Sequence, residues 1–561
     1  MSAVAPPELP EAPSPRRAER APLLWLALPF MAGLALGRLL PSLPPALPLA
    51  LALAGSGLAL ATPGGRSGVW AGALLTALTA AGTASYGLHV GRRAAWENWP
   101  VREARLTLRL ERVFPSPRPR RCSFLAVVTG AEPHLRELLG QRIYGVVAQP
   151  PGQPEPIRSA EIAVVGLLAV VPCPAAPGTL DGRLAGLGLN FRLTRGHLLR
   201  AGPPGRYYGA LDRLAGRMTA LLHAGFEHQP ELGAIYGAMM LGQKRDLSLA
   251  QRDLFLRSGT MHLFAINGLH IDVVAVSVHA LLALLRCPGL AACALVGSVL
   301  WLDVSATGNT PSAMRAFIMV GSGEAAQALH RPRRRLAALA AAALLALLIH
   351  PLDFFGASFQ MSYGVVSVLF TFGLPLAQHW QQRFPTPPDR PAKNRRLFPR
   401  LGLAARRWLV GALAVGLAAA LVSALTGVEF FGLFVPVGLA ANLLVAPFAM
   451  LVIVAGVASL SVGLAGGIAA SRFFNGAAAV LLRGIEMMIE AAARLPGAAW
   501  PAHYRAAWVG PAALAGLIGL CLTGYATGWN PKWGGFWLPI ALVALTLALG
   551  VRFGSLAVPH P

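Results

Sequence analysis

The densest group of chemically capable side chains lies between Leu241 and Asp272. It reads Leu241-Gly242-Gln243-Lys244-Arg245-Asp246, then Arg257-Ser258-Gly259-Thr260-Met261-His262-Leu263-Phe264-Ala265-Ile266-Asn267-Gly268-Leu269-His270-Ile271, with Asp272 next. The surrounding sequence is apolar, and polar groups inside an apolar helix are costly unless they meet partners or water. Two imidazoles and a carboxylate can hold zinc. On one continuous helix, however, His262 and His270 sit about 80° out of alignment, and no His-Glu-x-x-His motif is present. Asn267 and His270 are three apart and share a face. Gly268 between them lets another backbone approach or lets the helix break.

Further polar residues stand in later apolar runs. Arg315 sits early in Thr310-Pro311-Ser312-Ala313-Met314-Arg315-Ala316, and its guanidinium can meet phosphate as a charge-assisted, bidentate donor. Gln360 and Ser362 lie in Phe355-Gly356-Ala357-Ser358-Phe359-Gln360-Met361-Ser362-Tyr363, and Asn442 in Ala441-Asn442-Leu443-Leu444-Val445-Ala446-Pro447. With His262, Asn267 and His270 they form a set of neutral donors that hold a polar chain without trapping it, as conduction requires. The alternative is that they hydrogen-bond neighbouring helices and act as glue. Residue type alone leaves both readings open.

The elements that must position these residues are membrane helices. The chain has 561 residues, 55% hydrophobic and 13% charged, with a mean hydropathy of +0.56, whereas soluble domains carry about 25% charged residues. Its apolar runs are roughly 17 to 25 residues long, enough for about 30 Å of hydrocarbon. Residues 1–21 read as a disordered cytoplasmic tail carrying Arg16, Arg17 and Arg20, and residues 22–92 as three membrane helices. No convincing cleavage site follows the first run, so it is expected to remain as an uncleaved helix. A basic tail inside and three crossings place the next segment outside. Residues 206–258 are amphipathic and predict interfacial or re-entrant helices. Residues 259–465 hold the main membrane block, with runs broken near Pro436 and Pro447 and a basic loop over 379–408. Residues 466–561 add an amphipathic helix and two further runs, for ten to twelve spans in all. Arg331, Arg333, Arg334 and Arg335 lie two crossings before Lys393, Arg395, Arg396, Arg400, Arg406 and Arg407, so both clusters face one side, the cytoplasm.

Residues 96–203 change character, with short apolar runs at Leu106–Leu110, Phe124–Thr129, Ile143–Ala148 and Ile162–Val171 between Pro- and Gly-rich turns. These are strand signals at small-barrel spacing. The fold class is therefore an α-helical polytopic membrane protein with an inserted OB-like β-barrel outside the membrane. Such barrels commonly bind single strands, and Phe114, Phe124, Tyr144 and Phe191 are the aromatics that could stack bases; a purely structural barrel is the alternative. Cys122 and Cys173 lie in this segment. In an oxidising compartment they would close a loop of about 50 residues, adding roughly 4 kcal/mol in the chain-entropy model; the alternative is two separate thiols. Positive-inside loops and anionic lipid suffice for most of the net charge of +24, and a polyanionic substrate is the alternative.

The ordered motifs resemble the transmembrane domain of the ComEC-type competence proteins. Members show a Gly-Asp-Arg-like turn, a Gly-Thr/Ile-His-Leu stretch and Ser-Gly-Leu-His, here Asn267-Gly268-Leu269-His270 with Asn for Ser. Asp272 stands where the family has a small residue. The elements around Arg315, Gln360 and Asn442 follow in family order, so that the resemblance covers about residues 230–465. It implies an inner-membrane channel passing single-stranded DNA during natural transformation, with His262, Asn267, Gly268, His270, Arg315, Gln360, Ser362 and Asn442 along the path. The expected partners are single-stranded DNA, membrane lipid, a DNA receptor outside, an ATP-driven helicase or translocase inside, and a second copy of the chain. No cofactor or resident metal is implied, and no Gly-x-x-x-x-Gly-Lys-Ser/Thr loop is present. Longer members carry a metallo-β-lactamase-like nuclease domain with a His-x-His-x-Asp-His cluster. This sequence has no such cluster, so a transport protein and not an enzyme is expected. The rival readings are an intramembrane metal-dependent hydrolase using His262, His270 and Asp272, and an ion-coupled transporter of a small solute or lipid titrating Asp272 and Asp303.

Overall fold

Helices form where the apolar runs lie, and the polar insertion between them folds as a barrel. The computed structural model describes residues 21–40, 43–62, 68–91, 96, 99–114, 120–150, 155–172, 179–243, 246–264, 268–308, 310–330, 334–383, 397–531 and 534–554. The first three helices are α1 (Leu24–Leu39), α2 (Ala46–Ala61) and α3 (Gly68–Val90). α1 and α3 cross at glycines: a Cβ at Gly33 would collide with the Thr79 carbonyl, and one at Gly82 with the Phe30 carbonyl. This proximity lets Thr83 Oγ1 donate to the Gly33 carbonyl at 3.0 Å, and small-residue crossings of this kind replace the hydrophobic effect inside lipid.

The barrel comprises β1 (Arg102–Phe114), β2 (Arg121–Ala131), β3 (Arg142–Ala148), β4 (Glu161–Val170), α4 (Leu180–Gly186) and β5 (Phe191–Ala201). The strands close in the order β1-β2-β3-β5-β4, with β3 and β5 parallel. Strict alternation of buried and half-buried residues along β3 and most of β4 is the period of two that the apolar runs encode. β5 escapes a sequence reading because Arg192, Arg195, His197 and Arg200 break up its apolar positions. Phe124 and Phe191 are fully buried in the barrel core, which corrects their reading as base-stacking platforms. Phe114 and Tyr144 are half-buried neighbours, with ring centroids 6.4 Å apart. Cys122 is buried, and burial pushes its thiol up to about 12; Cys173 lies outside the described residues.

The barrel is seated on the bundle at defined points. Asn190 Nδ2 donates to the Val90 carbonyl at the end of α3 at 2.7 Å. A Cβ at Gly188 would strike Leu352, in the 3-10 turn Pro351–Phe355. In the same turn Phe355 lies under the Arg38 guanidinium, 4.8 Å from its ring centroid.

After the barrel come α5 (Arg206–His223), α6 (Pro230–Leu241), α7 (Leu249–Arg257), α8 (Gly268–Leu284), α9 (Gly289–Ala306), α10 (Pro311–Ala328) and α11 (Arg335–Ile349). α12 (Ala357–Val368) continues through a π-turn into α13 (Leu374–Arg383), and then follow α14 (Leu397–Phe431), β6 (Leu433–Phe434), α15 (Gly438–Leu464), α16 (Ile468–Ala493), β7 (Trp500–Tyr504), α17 (Val509–Ala526), α18 (Trp537–Gly550) and β8 (Val551–Phe553). Among the described residues five helices are long and apolar enough to cross a membrane, and five shorter apolar helices accompany them. Pro436 falls in the break between α14 and α15, as expected. Pro447 does not interrupt the chain, because α15 runs through it. β6, β7 and β8 pair into one small sheet that ties the ends of α14, α16 and α18 together.

One dry polar node fastens α5, α6, α15 and α16. Ser459 Oγ donates to Asn475 Oδ1 at 2.7 Å, Tyr236 Oη donates to the same oxygen at 3.3 Å, and Ser459 meets Ser471 at 2.8 Å. Asn475 Nδ2 donates at 2.8 Å to the carbonyls of both Leu221 and Ala224. Ser459, Ser471, Asn475 and Tyr236 are fully buried, so deleting the amide strands several groups at once. Asn475→Leu is expected to cost about 3 kcal/mol, seen as a lowered thermal midpoint of the detergent-purified protein. A second prediction concerns Cys122. Alkylation needs the thiolate, so the raised pKa means that the folded barrel resists iodoacetamide at pH 8, while the unfolded, reduced chain reacts. The sign follows from ionisation of the unfolded thiol near its ordinary value of 9.0: stability from Cys122 is present below pH 9 and declines as pH rises toward 12. If Cys122 pairs with Cys173, denatured but unreduced protein will leave both unlabelled by mass spectrometry.

Candidate polar site in the helix bundle

Two polar clusters form near the starts of α8, α10, α12 and α15, and the chain break at Gly259 creates the first. Gly259 has φ +72°, and a Cβ there would lie 3.1 Å from Gly438 Cα, so both backbone conformation and close approach demand glycine. The polypeptide turns here, Met261–Phe264 forms a 3-10 turn, and α8 starts only at Gly268. This corrects the reading of residues 262–272 as one continuous helix: His262 and His270 occupy different elements. His262 is exposed, with Nδ1 3.2 Å from the Gly259 carbonyl oxygen. Asn442 Nδ2 donates to that same oxygen at 3.4 Å from α15. Asn442 Oδ1 is buried and accepts no hydrogen bond among the described residues. Asn267 lies outside the described residues.

The second cluster centres on Arg315 of α10. Only 6% exposed, it donates from Nε to Ser362 Oγ on α12 at 2.8 Å, and its Nη1 lies 3.4 Å from Met319 Sδ. Ser362 in turn donates to Ser312 Oγ at 3.2 Å. Nη2 faces Gly268, where a Cβ would stand 3.4 Å away. Asp272 of α8 opposes the charge through space, but among the described residues no carboxylate comes within salt-bridge distance of Arg315. A guanidinium stays charged at any relevant pH, so its uncontacted edge at the Gly268 gap suits an anionic group.

His270 is buried beside this cluster but turns to α9, with Nε2 3.9 Å from Asp303 Oδ2. Gln360 joins neither cluster; its Nε2 donates to the Phe354 carbonyl at 3.2 Å and pins the 3-10 turn beneath the barrel. Among the described residues no three histidine, cysteine or carboxylate side chains converge as a metal site would require. Sequence reasoning passed over His279 and Glu324, which pair between α8 and α10 with Nε2 and Oε2 3.0 Å apart. A carboxylate inside the apolar run of α10 is the signal that could have found them.

The fold and site define a multi-pass helical membrane protein whose bundle buries a guanidinium between three helices beneath a closed barrel. The chain belongs to the Competence protein family, which matches residues 239–527, just over half of the sequence. It is similar to ComE operon protein 3 of Bacillus subtilis (strain 168), with 28% identity over 136 residues, which is 24% of this chain and 18% of that relative. The aligned part is thus under a fifth of the relative's length. No solved structure matches.

Ser362→Ala removes the acceptor of a buried charged donor and is expected to cost about 2 kcal/mol, whereas Ser362→Thr, which keeps the hydroxyl, should cost under half of that. Thermal unfolding in detergent measures both.

Proposed function

We propose that this protein passes single-stranded DNA across the bacterial cytoplasmic membrane during natural transformation. The observation that carries the reading is Arg315, a buried guanidinium that donates to the neutral hydroxyl of Ser362 and touches no carboxylate among the described residues. Burying a charge that no carboxylate contacts is expensive among membrane helices, and the arrangement makes sense when a polyanion supplies the contact in passing. Membership of the Competence family and likeness to a protein named for the ComE operon support the same substrate. In this state Arg315 and His270 are buried, so conduction requires α8 to move away from α10 at Gly268. His262 and Asn442 line the approach, with His270, Ser362 and Gln360 positioning the helices around it. The barrel faces outward and receives the strand from a DNA-binding receptor, an ATP-driven translocase on the inner face supplies the pull, and the N-terminus lies in the cytoplasm.

A second reading, ion-coupled transport of a small solute, is favoured by the pairs His270–Asp303 and His279–Glu324, each able to exchange a proton within the bundle. One experiment separates the two. Deleting the gene should leave labelled DNA outside the cytoplasm and lower transformation at least a hundredfold. Arg315→Ala and His270→Ala should rescue poorly although present in the membrane in normal amounts. Import of labelled strands by the deletion strain at the parental rate would reject the DNA reading.

A further inference from the structure

The helix between the barrel and the bundle carries an arginine stripe that neither cluster uses. α5 has 18 residues and is about 27 Å long, close to the thickness of a bilayer core. Its first turn lies against the barrel: a Cβ at Gly205 would meet Ser159 Oγ at 3.3 Å, and the Arg158 guanidinium stands 4.9 Å from the Tyr208 ring centroid. Its last turn lies at the far end of α15. There Leu221 fills the notch at Gly463, one residue before α15 ends, and Asn475 holds the Leu221 and Ala224 carbonyls. α15 starts on the barrel side, since it follows the end of α14, where Glu429 faces Arg38, and Arg38 covers the Phe355 turn on which the barrel rests. α5 therefore runs the depth of the bundle.

The two faces of this helix differ sharply. Leu211, Met218, Leu221 and Leu222 turn inward, the last three joining the core shared by α6, α15 and α16. Arg206, Ala210, Arg213, Arg217 and Ala220 are all exposed and fall in one stripe roughly 80° wide at 100° per residue. Among the described residues no carboxylate lies within salt-bridge distance of its three arginines. Each arginine facing hydrocarbon would cost roughly 2.5 kcal/mol or more, so at this depth the stripe calls for water or an anion beside it and not lipid tails. Its two alanines keep the stripe flat. At the barrel end Tyr207 is 45% exposed and offers an aromatic face.

We propose that α5 is the phosphate-tracking wall of the strand passage, with Arg206, Arg213 and Arg217 meeting backbone phosphates and Tyr207 stacking a base at the barrel-side mouth. This deepens, and rests on, the DNA-transport reading. Guanidinium contacts to phosphate with little base readout are the pattern of sequence-tolerant single-strand binding.

The test uses the full chain in nanodiscs of pure phosphatidylcholine and a fluorescent oligothymidylate as probe. Removing two phosphate contacts with Arg213→Gln/Arg217→Gln should reduce the slope of log affinity against log salt by roughly 1.4 and weaken binding at least tenfold at low salt, while Arg213→Lys/Arg217→Lys keeps the slope. Ala210→Cys and Ala220→Cys should react with a membrane-impermeant charged thiol reagent above the background of the parent chain, and the oligonucleotide should protect both. Unchanged slope and affinity in the Gln pair, at an unchanged thermal midpoint, would overturn the proposal. So would thiols that stay unreactive, or a defect that appears only in vesicles containing anionic lipid, which would make the stripe a headgroup contact. In cells, poor rescue by Arg315→Ala combined with full rescue by the Gln pair would remove α5 from the path and leave the DNA reading standing. Normal import by the deletion strain would remove that reading itself.

Discussion

A guanidinium cannot shed its charge to suit a low-dielectric setting, so the helices around Arg315 must accommodate it. Ser362 and Ser312 do so from α12 and α10 with neutral hydroxyls, and Gly268 of α8 leaves space on the remaining side. A carboxylate in contact would have neutralised the charge and closed the site to other anions. A neutral acceptor and a glycine leave the charge without a contacting counter-ion, its free edge directed at one gap. Hydrogen bonds thus join α10 to α12, while α8 meets the guanidinium only across the space at Gly268.

The chain break at Gly259 sets where that gap falls. Because Gly259 packs on Gly438 with a positive φ, the polypeptide leaves α7, turns through Met261–Phe264 and starts α8 one short segment later. The Gly259 carbonyl then takes contacts from both His262 and Asn442, which ties the entrance of α8 to the first turns of α15. Behind this, the Asn475 node fixes α5 and α6 against α15 and α16 with every amide proton satisfied. A rigid, fully paired region therefore stands beside a sparsely paired one. Motion is expected in the second, because local opening follows the weakest network of contacts.

The barrel is mounted so that its position depends on backbone geometry and on few side chains. Asn190 reaches the end of α3, Gly188 admits Leu352, and Arg38 stacks on Phe355. Gln360, read from sequence as a residue of the path, donates to the Phe354 carbonyl in the turn on which the barrel rests.

Hydrophobic periodicity by itself determined the membrane helices and the four apolar strands of the barrel, because run length and alternation are local properties of the chain, and the ordered motifs carried the resemblance to the family. Periodicity also flagged Arg315, His270 and Asn442, since a polar residue in an apolar run is conspicuous wherever it points. Tertiary structure alone decided which of these meet. His262 and His270 separate because His262 falls in the 3-10 turn Met261–Phe264 that follows Gly259, while His270 lies in α8, which starts only at Gly268; Phe124 and Phe191 vanish into the barrel core because strand register turns them inward; His279 finds Glu324 and Asn475 finds Leu221 only across long sequence separations. The arginine stripe of α5 was present in the sequence as an amphipathic pattern. Its meaning depended on whether that helix lies along a membrane surface or runs through the bundle, and only the packing of its two ends answers that.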